Sequence, residues 1–331
     1  MADLHTPEMT PDRVSACREK LFTEMAKIIQ GQTGIIEHLL ISLLCRGHIL
    51  VVGLPGLAKT LIAKTFAQST HLEFSRIQFT PDMMPSDITG VEILEEDHST
   101  GKRIERFIKG PIFANIILAD EINRTPPRTQ AAMLQVMQEN EVTVSRTTFS
   151  VDQPFLVIAT QNPIEQEGTY PLPEAQLDRF MFKLNITYPA RNEEVRMLRE
   201  TTAPALARIT PVLSAEEILG LQELTRAVPV ADDMYDLVVK LVRATRPQDP
   251  AASELTKTYV RWGASPRACQ YIILGAMARA LLYGNLCVAP EDIRAVAPAV
   301  LNHRILLNYQ AKAENIAVEQ IIDDILTRTV S

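Results

Sequence analysis

The 331-residue sequence predicts an α/β fold: a mostly parallel sheet between helices, interrupted by two β-hairpins and followed by a smaller all-helical domain. Three observations carry that expectation. Short apolar runs at residues 49–52, 116–119 and 155–159, with a weaker one at 182–186, alternate with helical segments, as strands buried on both faces do. A glycine-bearing turn, Gly53 to Thr60, joins the first run to a helix. Strand-like runs stop after Pro189, which places a domain boundary there, with residues 1–188 before it and 189–331 after it.

The elements follow in order. Val14, Cys17, Leu21, Met25 and Ile28 recur at three- and four-residue steps, the stripe of an amphipathic helix that Gly31 ends. A second apolar helix spans about residues 35–45, and His48 to Val52 reads as the first strand. Helices are expected over residues 59–69 and 128–139. Between them, Gly90-Val91-Glu92-Ile93 and Arg103-Ile104-Glu105-Arg106-Phe107 flank a polar tip around Asp97 to Gly101, a hairpin pattern. Glu141 to Val144 and Phe149 to Val151 form a second one. Beyond Pro189, Ser214-Ala215-Glu216-Glu217 reads as a capping box. Ser265-Pro266 opens another helix, and Val318, Ile321, Ile322, Ile325 and Leu326 stripe the last one.

Composition narrows the function classes. The net charge is −7 and aromatics are 5% of the chain, with Trp262 the sole tryptophan, which argues against a phosphate-backbone track or a base-stacking platform. Cys17, Cys45, Cys269 and Cys287 are too far apart for metal-ligand spacing and sit among apolar neighbours, so buried reduced thiols are expected and a structural zinc is not. No run approaches the 18 apolar residues of a membrane span, and the first 20 residues lack an apolar core for export, which together give a cytoplasmic reading.

The chemistry concentrates at three strand ends. Gly53-Leu54-Pro55-Gly56-Leu57-Ala58-Lys59-Thr60, with Leu61 following, has the strand-loop-helix context of a phosphate-binding loop. Its glycines let backbone amides wrap a phosphate, Lys59 would reach the β- and γ-phosphates, and the Thr60 hydroxyl would ligate Mg²⁺. Ala58 stands where a glycine is usual. The run Ile116-Ile117-Leu118-Ala119 ends in Asp120-Glu121: Asp120 would hold Mg²⁺ and Glu121 would polarise an attacking water. The strand of residues 155–159 leads to Asn162, whose amide could hold that water against the γ-phosphate.

The order of these pieces resembles an AAA+ ATPase, and the text resembles the MoxR family in particular. The stretches that carry the likeness are the loop Gly53 to Thr60, Ala119-Asp120-Glu121-Ile122-Asn123-Arg124-Thr125-Pro126-Pro127, and the long segment from Ala159 through Asn162-Pro163-Ile164-Glu165-Gln166-Glu167-Gly168-Thr169-Tyr170 to Leu177-Asp178-Arg179-Phe180. The resemblance implies an AAA+ P-loop core followed by a helical lid, and ATP with Mg²⁺ at the interfaces of a homo-oligomeric, hexameric ring. Arg179 matches the arginine that a neighbouring subunit inserts, its rival reading being a surface pair with Asp178 or Glu174. Arg267 matches the sensor arginine of the lid, and Ile29, Gly31 and Gln32 match the segment that packs the adenine. The two hairpins resemble insertions shared with magnesium chelatase subunits and MCM helicases. The implied function is ATP-driven remodelling, maturation or assembly of a client, including cofactor or metal insertion, alongside a protein with a von Willebrand factor A domain. The competing readings are a nucleic-acid-stimulated motor, a metal-chelatase subunit and a non-hydrolysing nucleotide switch. No pattern in the chain names a client.

Overall fold

The computed structural model describes residues 11–96, 103–164, 168–202 and 208–330. Its elements in chain order are helices α1 (Pro11–Ala26) and α2 (Thr33–Leu44), strand β1 (Ile49–Gly53), α3 (Lys59–Ser69), β2 (Phe74–Gln78), the short α4 (Pro85–Thr89), β3 (Gly90–Glu96) and β4 (Arg103–Lys109). There follow β5 (Ile116–Asp120), a 3₁₀ turn (Ile122–Arg124), α5 (Pro127–Glu139), β6 (Glu141–Val144), β7 (Thr147–Ser150), β8 (Leu156–Gln161), α6 (Glu174–Leu177), β9 (Phe182–Ile186) and α7 (Arg191–Thr201). The remainder is α8 (Ala215–Ala227), α9 (Asp232–Ala244), α10 (Glu254–Tyr259), β10 (Val260–Trp262), α11 (Pro266–Leu282), α12 (Pro290–Leu301), β11 (Leu306–Leu307), α13 (Tyr309–Ala313) and α14 (Val318–Thr329).

The described residues fall into two compact units, one made of Glu24–Ile36 with Arg46–Ala215, the other of residues 11–23, Glu37–Cys45 and residues 216–330. This differs from the boundary expected at 188/189. Composition marks where the sheet ends, whereas compactness follows packing: α7 groups with the sheet, and the first two helices contribute to the helical unit.

The sheet unit holds five parallel strands in the order β2-β5-β8-β1-β9. The central strand β8 faces Ile117 of β5 with Val157 and Ile49 of β1 with Ile158. β5 is buried along its whole length, which is why it reads as an uninterrupted apolar run. Leu50, Ile117, Met133, Leu134, Val157 and Phe180 pack one core cluster, each fully buried. His48 joins it. Its Nδ1 accepts the Val157 N–H at 3.1 Å, and its Nε2 lies 2.8 Å from the Met137 carbonyl. Burial pushes its pKa down to about 4, so the ring is neutral and Nε2 carries the donated proton.

Both hairpins form. β3 pairs antiparallel with β4 from Gly90↔Lys109 to Glu96↔Arg103, and β6 with β7. The polar tip expected around Asp97 to Gly101 lies outside the described residues. Phe107 of β4 stacks on Phe149 of β7 with ring centroids 4.1 Å apart, so the two hairpins share an aromatic contact.

The helical unit packs α11 against α9 and α12 around Leu241, Ile272, Ala276, Val300, Ile321 and Ile325, all buried. It also holds one short antiparallel pair, β10 with β11, where the sequence showed no strands; runs of three and two residues are too short to leave a periodic signature. The cysteine expectation needs a correction. Cys45 is buried, Cys17 and Cys269 are partly so, and Cys287 is exposed, beside Leu286 in the loop before α12. No described helix is long and apolar enough to cross a membrane.

Candidate functional site

Parallel sheets place their chemistry at the carboxyl ends of the strands, and here β1, β8 and β5 lie side by side there. β1 ends in the loop Gly53 to Thr60, and α3 begins at Lys59. Gly56 takes φ +82°, with open space where a side chain would start, so the loop turns without walling off its concave face. Ala58 also takes a left-handed conformation, φ 56° and ψ 20°, as the residue capping α3. The position thus has the backbone geometry that makes glycine usual there, and alanine, with the smallest side chain, tolerates it. Lys59 Nζ donates to the Gly53 carbonyl at 2.7 Å, which curls its charge back over the loop.

Asp120 ends β5 and is 7% exposed. A carboxylate that deep needs compensation. Thr160, on β8, donates its hydroxyl to Asp120 Oδ1 at 2.6 Å. Arg76, on β2, donates from Nε at 3.1 Å and Nη2 at 2.7 Å to Asp120 Oδ2. Glu121 follows in a left-handed conformation, φ 56° and ψ 50°, and its backbone N–H donates to the same Thr160 hydroxyl at 2.9 Å. Its Oε2 accepts from Gln78 Nε2 at 3.1 Å and Arg124 Nη1 at 2.9 Å. Arg76 also donates to Gln78 Oε1. The two carboxylates are therefore held by one polar network that reaches across β2, β5 and β8.

Asn162 lies one residue past β8, between the ends of β5 and β1, and is 4% exposed. Its Oδ1 accepts the Ile164 N–H at 3.2 Å, which fixes the direction of the amide. Residues 165–167 of the long motif lie outside the described residues. Arg179 is half-buried between α6 and β9 and donates from Nη1 to the Leu134 carbonyl at 3.1 Å. Arg267 is the second residue of α11, half-buried in the helical unit.

A cavity of about 240 Å³ opens beside the loop. Pro55 to Ala58, Leu61 and Ile62 form one side, and Ile28, Ile29 and Gln32 another, joined by Tyr188, Pro189 and Met197 from the end of β9 and from α7. Its lining is largely apolar, the surface a flat aromatic base takes. Gln32 Nε2 donates to the Thr187 carbonyl at 3.1 Å, tying this segment to the strand end. Gly31, at φ +69°, leaves room for the Glu193 carboxylate from the first turn of α7: a Cβ there would stand 2.6 Å from Glu193 Oε2. That oxygen accepts the Ala190 N–H at 2.9 Å.

The arrangement thus brings the loop, the paired carboxylates and Asn162 to one edge of the sheet, and sets Ile29 and Gln32 at an adjoining cavity. Sequence reading missed Arg76, Gln78, Thr160, Tyr188 and Met197. Thr160 alone had a visible signal, two residues before Asn162 at a strand end. For a magnesium ion the donor set fits. The Thr60 hydroxyl and the Asp120 carboxylate are hard oxygens, and this ion favours one or two such groups plus phosphates and water over a protein cage. Among the described residues no cluster of three or more His, Cys, Asp or Glu side chains offers such a cage.

Comparison with known proteins agrees with this geometry. A family model described as "ATPase family associated with various cellular activities (AAA)" matches residues 48–182, and an AAA lid domain model matches 252–325. The chain is 45% identical to Chaperone MoxR1 of Mycobacterium tuberculosis over 93% of its own length and 80% of that protein. It is 42% identical to YeaC of Bacillus subtilis, covering 93% and 92%, and 32% identical to MoxR of Paracoccus denitrificans, covering 89% and 91%. The crystal structure of a candidate ATPase from Cytophaga hutchinsonii superposes with a TM-score of 0.89 at 42% identity, covering 97% of this chain and 96% of that one.

Proposed function

The chain belongs to the MoxR family of AAA+ ATPases, and from that premise we propose that it hydrolyses ATP between neighbouring copies of itself and uses the cycle to remodel or mature a client protein. The observation that carries the reading is the row of β1, β8 and β5 ends: phosphate loop, Asn162 and the Asp120–Glu121 pair, side by side. In-line attack of water on a γ-phosphate needs those three groups together.

The base enters the apolar cavity by Ile29 and Gln32. The loop amides and Lys59 take the phosphates, with Lys59 leaving the Gly53 carbonyl for them. Thr60 and Asp120 would hold a magnesium ion, which would supply positive charge to neutralise the phosphates. Glu121 accepts the proton of the attacking water, and Asn162 orients that water. Arg179 of a neighbouring subunit supplies a charge that stays on at any working pH and forks onto phosphate oxygens. Arg267 reports nucleotide state to the helical unit. That division of labour calls for a ring of neighbouring copies, and its hexameric size is what the resemblance to AAA+ proteins implies. A chaperone-like role is supported by the relative named Chaperone MoxR1. The client, a von Willebrand factor A domain partner and a part in metal or cofactor insertion are the readings to test in pull-down. The test of the chemistry is Glu121→Gln: ATP binding persists and turnover falls at least a hundredfold. Turnover that survives this substitution would reject Glu121 as the base.

A further inference from the structure

The polar network around the two carboxylates does more than satisfy them. Asp120 and Glu121 contribute two negative charges, and Arg76 and Arg124 contribute two positive ones at 2.7 and 2.9 Å. The strand end is thus neutral before any ion arrives. A carboxylate offers about four lone-pair positions. Both contacts of Arg76, Nε and Nη2, fall on Oδ2 of Asp120, and Thr160 takes one position on Oδ1. Thr160 is fully buried and is also tied to the Glu121 N–H, so it cannot leave cheaply. The Arg76 side chain is 46% exposed and can swing into water.

We propose that Arg76 is a positioning residue of the nucleotide site, an internal cation that competes with the divalent ion for Asp120 and so sets the ion concentration at which the site loads. The inference rests on the ATP–magnesium reading above. Like charges in contact with one carboxylate repel, and the exposed, monovalent, mobile partner is the one that yields. Gln78 accepts from Arg76 and donates to Glu121, so the release of Asp120 is felt at the second carboxylate as well. The competition makes the strand end stable without ion and demands a full divalent charge before the site is organised.

The test is binding of a fluorescent ADP to the full-length protein, titrated with magnesium, so that no turnover enters the readout. In Arg76→Gln the magnesium midpoint falls by about fivefold, a value suited to a half-exposed pair. Arg76→Lys, which keeps the charge but gives up one of the two contacts on Oδ2, lowers it by about twofold and decides the matter should the glutamine variant not fold. In an Asp120→Asn background the Arg76→Gln shift disappears. An unchanged or raised midpoint in both Arg76 variants overturns the inference, because Arg76 would then stay in place to orient Asp120. ADP binding to the unmodified protein that ignores magnesium altogether overturns the ATP–magnesium reading instead.

Discussion

Replacing Thr160 by valine keeps the shape of a fully buried side chain and removes one hydroxyl. That hydroxyl makes two bonds across strands: it donates to the buried Asp120 carboxylate at 2.6 Å and accepts the Glu121 N–H at 2.9 Å. A hydrogen bond to a charged group contributes about 1.5–3 kcal/mol and a neutral one about 1 kcal/mol. Asp120 keeps its Arg76 partner, and Glu121 is only partly buried, so water recovers some of the loss. We expect Thr160→Val to cost about 2–3 kcal/mol. For a unit of this size each kcal/mol lowers the melting temperature by roughly 2–4 °C, so the transition that carries the sheet unit should fall by roughly 5–10 °C. Turnover should fall with it, because the left-handed backbone of Glu121 loses the bond that sets its direction. Thr160→Ser restores most of both. Calorimetry with and without ADP, alongside an ATPase assay, reads the outcome. If Thr160→Val melts within about 1 °C of the unmodified protein and turns over at the same rate, the hydroxyl does not hold the two carboxylates, and the account of the strand end is wrong.

Two further outcomes follow from the same structure. His48 is neutral in the fold, with its pKa pushed down to about 4 by burial, while an unfolded histidine titrates near its usual 6.5. The unfolded state therefore binds a proton that the native state refuses, and stability is lost as pH falls from about 6.5 towards 4. That amounts to about 2 kcal/mol between pH 7.5 and 5. Denaturant unfolding at the two pH values should show it, and His48→Gln should flatten the dependence; equal slopes in both proteins would contradict the assignment. Gly31→Ala puts a Cβ 2.6 Å from Glu193 Oε2 in a left-handed backbone, so the Glu193 carboxylate must swing away and release the Ala190 N–H that it accepts at the start of α7, beside the cavity. We expect about 1–2 kcal/mol of destabilisation and a several-fold weaker affinity for fluorescent ADP, and unchanged affinity would dissociate the cavity from the base.

What the sequence disclosed follows from burial. β1, β5 and β8 are enclosed on both faces, so their text is a run of apolar residues, and the loop and carboxylates are appended to such runs. β2 escaped notice because it is an edge strand whose only fully buried residue is Ile77, and Phe74-Ser75-Arg76-Ile77-Gln78 shows too little periodicity to announce itself. Two of the groups that restrain Asp120 and Glu121, Arg76 and Gln78, sit on that strand. Their role depends on the register that sets Gln78 opposite Asp120, a fact of pairing that no local pattern encodes. Tyr188 and Met197 were hidden for a different reason. They follow the composition change at Pro189 or lie against it, so they read as belonging to another domain, whereas packing returns them to the sheet unit beside the loop. Ala58 ran the other way: the departure from glycine was visible in the sequence, and its left-handed conformation shows that the backbone demand is the same.

The central claim is that the site is completed by a neighbour. The measurement that tests it most directly is ATP turnover per subunit against protein concentration, with Glu121→Gln as the blank, particle mass followed by light scattering, and Arg179→Ala in parallel. The account predicts a specific rate that climbs as particle mass climbs and that vanishes in Glu121→Gln. It also predicts an Arg179→Ala protein that assembles and binds ATP but turns it over at least tenfold more slowly. A constant specific rate from a particle that weighs as a monomer, or full activity in Arg179→Ala, would contradict it.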